Sequence, residues 1–196
     1  FAGFWSFPDP LPQSFSLRMW VRTVPGLASP VWTSVTIGVT ATLAAIVLAL
    51  ACLEREARTG RTGGNRALLF LYIPLLVPQA GFVFGLQLFF LMLGLDGSWV
   101  ALALVHLIFV LPYVFLSLSD PWRAWDTRYA SIAHGLGAGD NRTFWRVRLP
   151  MLLRPALVAA AVGFAVSIGQ YLPTILVGAG RLTTVTTEAV ALGSGG

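Results

Sequence analysis

SIAHGLGAGDNRTFWRVRLP, residues 131–150, lies between two long charge-free apolar runs and carries three glycines and three arginines in twenty positions. From 125 to 136 the pattern allows a helix, with Tyr129, Ile132, Ala133 and Leu136 at i, i+3, i+4 and i+7 in one apolar stripe. Gly135, Gly137 and Gly139 break it, and a second short helix over 141–147 turns Phe144, Trp145 and Val147 back toward an apolar surface. Asp120 and Pro121 are expected to end the preceding span, because Asp caps free amides and Pro suits a first helical turn. The segment therefore reads as a helix–turn–helix, able to move as one body and to carry two spans with it. A hydrophobic chain has reason to keep such a loop only if something outside the membrane grips it.

Outward from this loop, the runs 31–53, 67–95, 98–119 and 155–180 contain no Asp, Glu, Lys or Arg. Each exceeds the ~20 helical residues that cross a ~30 Å hydrocarbon core, whereas a buried core helix needs only ~10–14. The chain is 56% hydrophobic and 11% charged, far below the ~25% charged residues of soluble domains. The expected fold class is all-α, a polytopic membrane helix bundle with about four transmembrane helices. Residues 1–30 form an external segment whose five prolines forbid a long helix but leave room for a short interfacial one near 15–24. Residues 31–196 form the transmembrane domain.

The net charge of +5 comes from thirteen arginines and no lysine. Ten of them lie in the segments 54–66 and 120–154, against Arg18, Arg22 and Arg181 elsewhere. This alternation places 54–66 and 120–154 in the cytoplasm and residues 1–30 outside. A nucleic-acid-binding patch would not respect membrane sidedness, so no nucleic-acid partner is expected. Arginine-rich loops at the bilayer surface do imply contact with membrane lipids. Trp32, Trp99, Trp122 and Trp145 stand at the proposed boundaries, where indole rings partition. Cys52, the one cysteine, reads as a small packing residue inside a span.

Within the spans, polar residues are few. The first, about 33–53, is rich in Thr, Ala and Gly, which let helix backbones approach closely. The second, about 67–93, carries the kinking pair Pro74 and Pro78, then Gln79 and Gln87, about 80° apart around the helix axis. These glutamines either line a polar path or hydrogen-bond between helices. His106, in the third span, has no acidic partner in any span, so an interhelical hydrogen bond or a cavity-facing role is expected rather than proton relay. The fourth, about 152–177, concentrates Ser167, Gly169, Gln170, Tyr171 and Thr174 in its second half, as a helix beside a wet cavity would. Gln79, Gln87, Gln170, Tyr171 and Thr174 are the candidate translocation-path residues. The threonine-rich segment 181–192 is amphipathic and lies outside.

Residues 131–150 resemble the EAA loop of the permease subunits of binding-protein-dependent ABC importers, roughly E-A-A-x3-G-x9-I-x-L-P. Ala133 matches the second alanine, Gly137 the glycine, Val147 the isoleucine, and Leu149 and Pro150 the closing pair. Leu136-Gly137-Ala138 and Phe144-Trp145-Arg146-Val147 also read like family variants. Ser131 stands in place of the glutamate and Ile132 in place of the first alanine, which puts in doubt any salt bridge the family makes there. The resemblance extends over nearly the whole chain and implies a MetI-like permease fold of five or six spans, lacking here an early and a last one. It implies a solute path formed with a second permease unit, a separate cytoplasmic ABC ATPase held through Tyr129, Ser131, Ile132, Ala133, Leu136, Gly137, Ala138, Val147, Leu149 and Pro150, and a periplasmic solute-binding protein. The setting implied is the bacterial inner membrane. Residues 169–192 further resemble the thiamine, ferric-iron and spermidine/putrescine group, closest to thiamine-type permeases that fuse two units.

The chain is not expected to be an enzyme: with no lysine there is no Walker-type loop, and neither a metal nor another cofactor is called for. The alternative is a secondary transporter or channel subunit, which would need ionisable groups inside the spans and finds only His106. A catalytic pairing suited to an intramembrane enzyme is absent from the spans. Phe1 in place of methionine and the Gly-Ser-Gly-Gly end suggest a piece of a longer protein.

Overall fold

A computed structural model describes residues 24–60 and 65–194; the interfacial helix expected near 15–24 falls almost wholly outside them. A 3₁₀ turn, Val24–Leu27, leads into α1, Ala28–Thr59. There follow α2, Asn65–Leu76, α3, Gln79–Met92, and α4, Trp99–Arg123. The loop segment holds α5, Arg128–Gly135, α6, Asp140–Thr143, a π-helical turn, Phe144–Arg148, and α7, Leu149–Met151. The chain closes with α8, Leu153–Ile168, α9, Tyr171–Gly178, and α10, Val185–Gly193. No strand occurs among the described residues.

α1, α4 and α8 pack against one another as a three-helix core. On α1 the buried positions Ser34, Ile37, Gly38, Ala41, Thr42, Ala45, Ala49 and Leu53 recur at three- and four-residue steps, so one face of mostly small side chains meets the neighbours. A Cβ built on Gly163 of α8 would lie 2.7 Å from a Val114 methyl and 3.1 Å from methyls of Thr42 and Val110, so this glycine sets how closely the three helices approach. Gly163→Leu is expected to destabilise the bundle by ~1–3 kcal/mol, the usual range for overpacking. Gly81→Leu, with nothing within 4 Å, serves as the comparison. Equal thermal midpoints for the two variants in detergent would contradict this packing.

Two apolar clusters lie one above the other. The lower contains Ala45, Ala49, Leu53, Val110, Val114, Leu118, Trp122, Trp125 and Ala159. The upper contains Ile37, Val83, Phe90, Ala101, Leu102, Val105, Phe109 and Val177. Asp96 and Arg181 meet at the upper end, 3.8 Å apart, and Glu54, Arg58, Arg123 and Arg148 gather at the lower, so the fold separates the two sets of loops as the arginine count does.

Several expectations change. Among the described residues, α1, continuous with its leading turn, and α4 are unbroken helices long and apolar enough to cross a membrane, and α8 with the bent stretch before it makes a third if the pair is one span, where four spans are expected. The second span is cut into α2 and α3 at Val77 and Pro78: Pro78 has no N–H to continue the ladder and pushes the preceding residue out of helical geometry. The fourth is cut into α8 and α9 at Gly169 and Gln170, and the helix restarts where Pro173 falls in a first turn that needs no amide. α8 itself bends 70° from the helical stretch 140–151. α1 continues to Thr59, well into the segment 54–66 placed in the cytoplasm, and stops at Gly60, φ +63°. α4 runs past Asp120 and Pro121 to Arg123, because Trp122 buries its ring in the lower cluster. Trp122 is thus a core residue, 2% exposed, rather than a boundary anchor, whereas Trp32 and Trp145 are exposed at 70% and 66%. Cys52 lies exposed on α1 rather than packed.

Candidate functional site: the loop between α4 and α8

α5 ends in a Schellman turn. The Ala138 N–H donates to the Ala133 carbonyl at 2.9 Å and the Gly137 N–H to the His134 carbonyl at 2.9 Å. That geometry needs a left-handed residue after the cap, and Gly137 supplies it at φ +78°. His134 Nε2 lies 3.1 Å from Asp140 across the turn.

The apolar stripe divides in two. Ala133 turns inward, 8% exposed, while Tyr129, Ile132 and Leu136 remain 45%, 61% and 82% exposed. Ser131 is exposed, its hydroxyl returned to the Thr127 carbonyl. Val147 and Leu149 sit half-buried in and after the π-helical turn; Pro150 is exposed and Ala138 half-buried.

Glu54 and Arg148 are not among the residues singled out from the sequence, yet together they fasten this loop to α1. Arg148 Nη1 donates to Glu54 Oε2 at 2.8 Å, with side chains only 12% and 14% exposed. Its guanidinium lies 4.5 Å from the Trp125 ring centroid and 5.1 Å from that of Trp122, a placement that strengthens as water is excluded. Glu54 also accepts from Arg58 Nε at 2.8 Å, and Arg58 donates to Asn141 at 3.0 Å. Arg123 reaches Glu56 at 3.1 Å. The only hint in the sequence is that Glu54 and Glu56 are the first carboxylates after 44 residues without one.

At mid-height the structure joins some of the path candidates. Gln79 Nε2 donates to Gln170 Oε1 at 2.9 Å, so the breaks in the second and fourth runs face each other. Thr174 donates to the Gln170 carbonyl at 2.7 Å and lies 3.2 Å from His106 Nε2, whose Nδ1 meets Ser167 Oγ at 2.7 Å. His106 therefore makes the interhelical hydrogen bonds expected of it. Gln170 and Thr174 are buried; Gln79, Gln87 and Tyr171 are half-buried, and no hydrogen bond links the last two to this group.

The chain matches the family described as binding-protein-dependent transport system inner membrane component over residues 41–193. It belongs to that family. Among relatives, it is 45% identical over 163 residues to the inner membrane ABC transporter permease protein YnjC of Escherichia coli, covering 83% of this chain and 30% of that one. It is 29% identical to the putrescine transport system permease protein PotI of Escherichia coli, covering 68% and 50%. It is 29% identical to the molybdenum transport system permease protein ModB of Mycobacterium bovis, covering 54% and 44%. The chain thus spans half or less of the length of these relatives. Permeases of this family are inner-membrane transport components, not enzymes.

Proposed function

We propose that this chain is the central part of one translocation unit of an ABC importer, and that residues 120–150 are where a separate cytoplasmic ATPase takes hold of it. The observation that carries this reading is the exposure of Tyr129, Ile132 and Leu136 on a helix whose base is locked by the Gly137 turn and the Glu54–Arg148 pair. A monomer gains nothing by presenting that stripe to water, and a groove on a partner would bury it. The loop is covalently continuous with α4 and α8 and ion-paired to α1, so a push on it reaches all three core helices. With the loop in the cytoplasm, the Asp96–Arg181 end faces the solute-binding protein.

The solute path runs past the upper half-helices, with Gln79, Gln87 and Tyr171 toward it and Gln170 and Thr174 behind them. Uncharged, sparse polar groups suit a path that must release what it admits. Named relatives carry molybdenum or putrescine, and their spread leaves the cargo to be set by the binding protein. The second unit is a fused half, a reading supported by YnjC of Escherichia coli, which is more than three times as long as the stretch it shares with this chain. The test is co-purification from membranes. The ATPase should accompany the wild-type protein and be lost from an Ile132→Asp, Leu136→Asp double variant; retention in that variant would remove the basis of this assignment.

A further inference from the structure

We infer that the lower end of α1 and the π-helical turn together form a binding groove for one anionic phospholipid. The inference rests on the sidedness proposed above, which ATPase co-purification tests separately. The groove, about 370 Å³, is lined by Leu50, Ala51, Arg55, Arg58, Phe144 and Trp145 among others. Its chemistry is ordered along the helix. Leu50 and Ala51 lie toward the span and Arg58 lies about 12 Å further along, at 1.5 Å per residue, so an apolar entry leads to a cationic end. That order is the order of acyl chain, glycerol and headgroup in a phospholipid entering from the cytoplasmic leaflet.

The charges favour an anion. Glu54 is the one carboxylate on the groove, and it is already shared between Arg58 and Arg148. Arg55, exposed one turn before Thr59, forms no ion pair among the described residues. The Trp145 indole, 66% exposed at the rim, has an N–H that donates to nothing among the described residues. An arginine with no counter-ion among the described residues, beside an exposed tryptophan at the bilayer surface, is the donor set a lipid phosphate takes. A partner ATPase is a poorer occupant, because Tyr129, Ile132 and Leu136 do not line this groove. The lipid would touch both α1 and the loop segment, on the side of Glu54 opposite Arg148.

The test uses the complete transporter, with its ATPase and second permease unit, in detergent. It is titrated with phosphatidylglycerol or phosphatidylcholine carrying brominated acyl chains, and quenching at Trp145 is taken as the difference from Trp145→Phe. Half-quenching is expected at a phosphatidylglycerol concentration about fivefold lower than for phosphatidylcholine, the effect of roughly one arginine at a membrane surface. Arg55→Gln should abolish that preference, and Arg154→Gln, which removes a charge away from the groove, should leave it. Equal quenching by the two lipids, or a preference that survives Arg55→Gln, would overturn the inference. So would shielding of Trp145 from both lipids, since a protein surface would then cover the groove.

Discussion

Gly137→Val is expected to lower uptake by at least about tenfold while leaving the protein in the membrane. The reason is conformational, since no atom lies within 4 Å of the position a Cβ would take. At φ +78° an L-residue meets its own carbonyl, at a cost of ~1–2 kcal/mol, more for a β-branched side chain. Every ~1.4 kcal/mol against the turn reduces the share of correctly shaped loops tenfold. The two hydrogen bonds of the Schellman turn go with it, and α5 loses its fixed angle to the segment that follows. Gly137→Asn, which tolerates the left-handed region better, should retain most uptake. Radiolabelled solute uptake, normalised to protein in the membrane, separates the two. Equal uptake by the valine variant and the wild type would mean that loop shape is irrelevant to coupling.

The second large effect concerns Arg148. Arg148→Ala should leave Glu54 half-neutralised beside two tryptophan rings, and truncating one partner of a buried pair costs ~3–5 kcal/mol. Here both side chains are slightly exposed, so a loss at or just below the bottom of that range is expected. The telling measurement is the ratio of solute moved to ATP hydrolysed in proteoliposomes of the full transporter. With α1 released from the loop, hydrolysis should continue while transport per ATP falls several-fold. Glu54→Gln should behave alike, and the double variant Glu54→Gln, Arg148→Gln should be milder than the sum, because neither charge is left buried alone. An unchanged transport-to-ATP ratio in all three would show that α1 does not need this tie.

What could be read from residues alone follows from where the information lies. The apolar runs announce themselves because no charge interrupts 31–53 or 98–119, and α1 and α4 do pass through them. The loop was legible for a similar local reason: the stripe and the glycine after it specify a helix and its stop within nine residues, Tyr129 to Gly137. The helix extensions were hidden. Glu54–Thr59 looks like part of a polar loop until Arg148, 94 residues after Glu54, arrives to hold it, and Asp120–Pro121 looks like a stop until Trp122 finds its core. Proline chemistry announced a disturbance at Pro78 but not whether it would be a kink or a break. Around Gln170 the local signs were Gly169 and Pro173, and the partner that faces this break, Gln79, lies 91 residues away. Burial likewise decides which of the path candidates face outward, and that depends on neighbours a single helix pattern does not contain.

The facing interruptions near Gln79 and Gln170 give the described residues two storeys, with α1 and α4 as continuous posts between them. The lower storey can tilt as one piece, and the upper half-helices, jointed at that floor, need not copy the motion. Displacement below arrives above as a change in the angle between rods. A small swing of the loop can therefore reshape the far end while the packing within each storey stays intact.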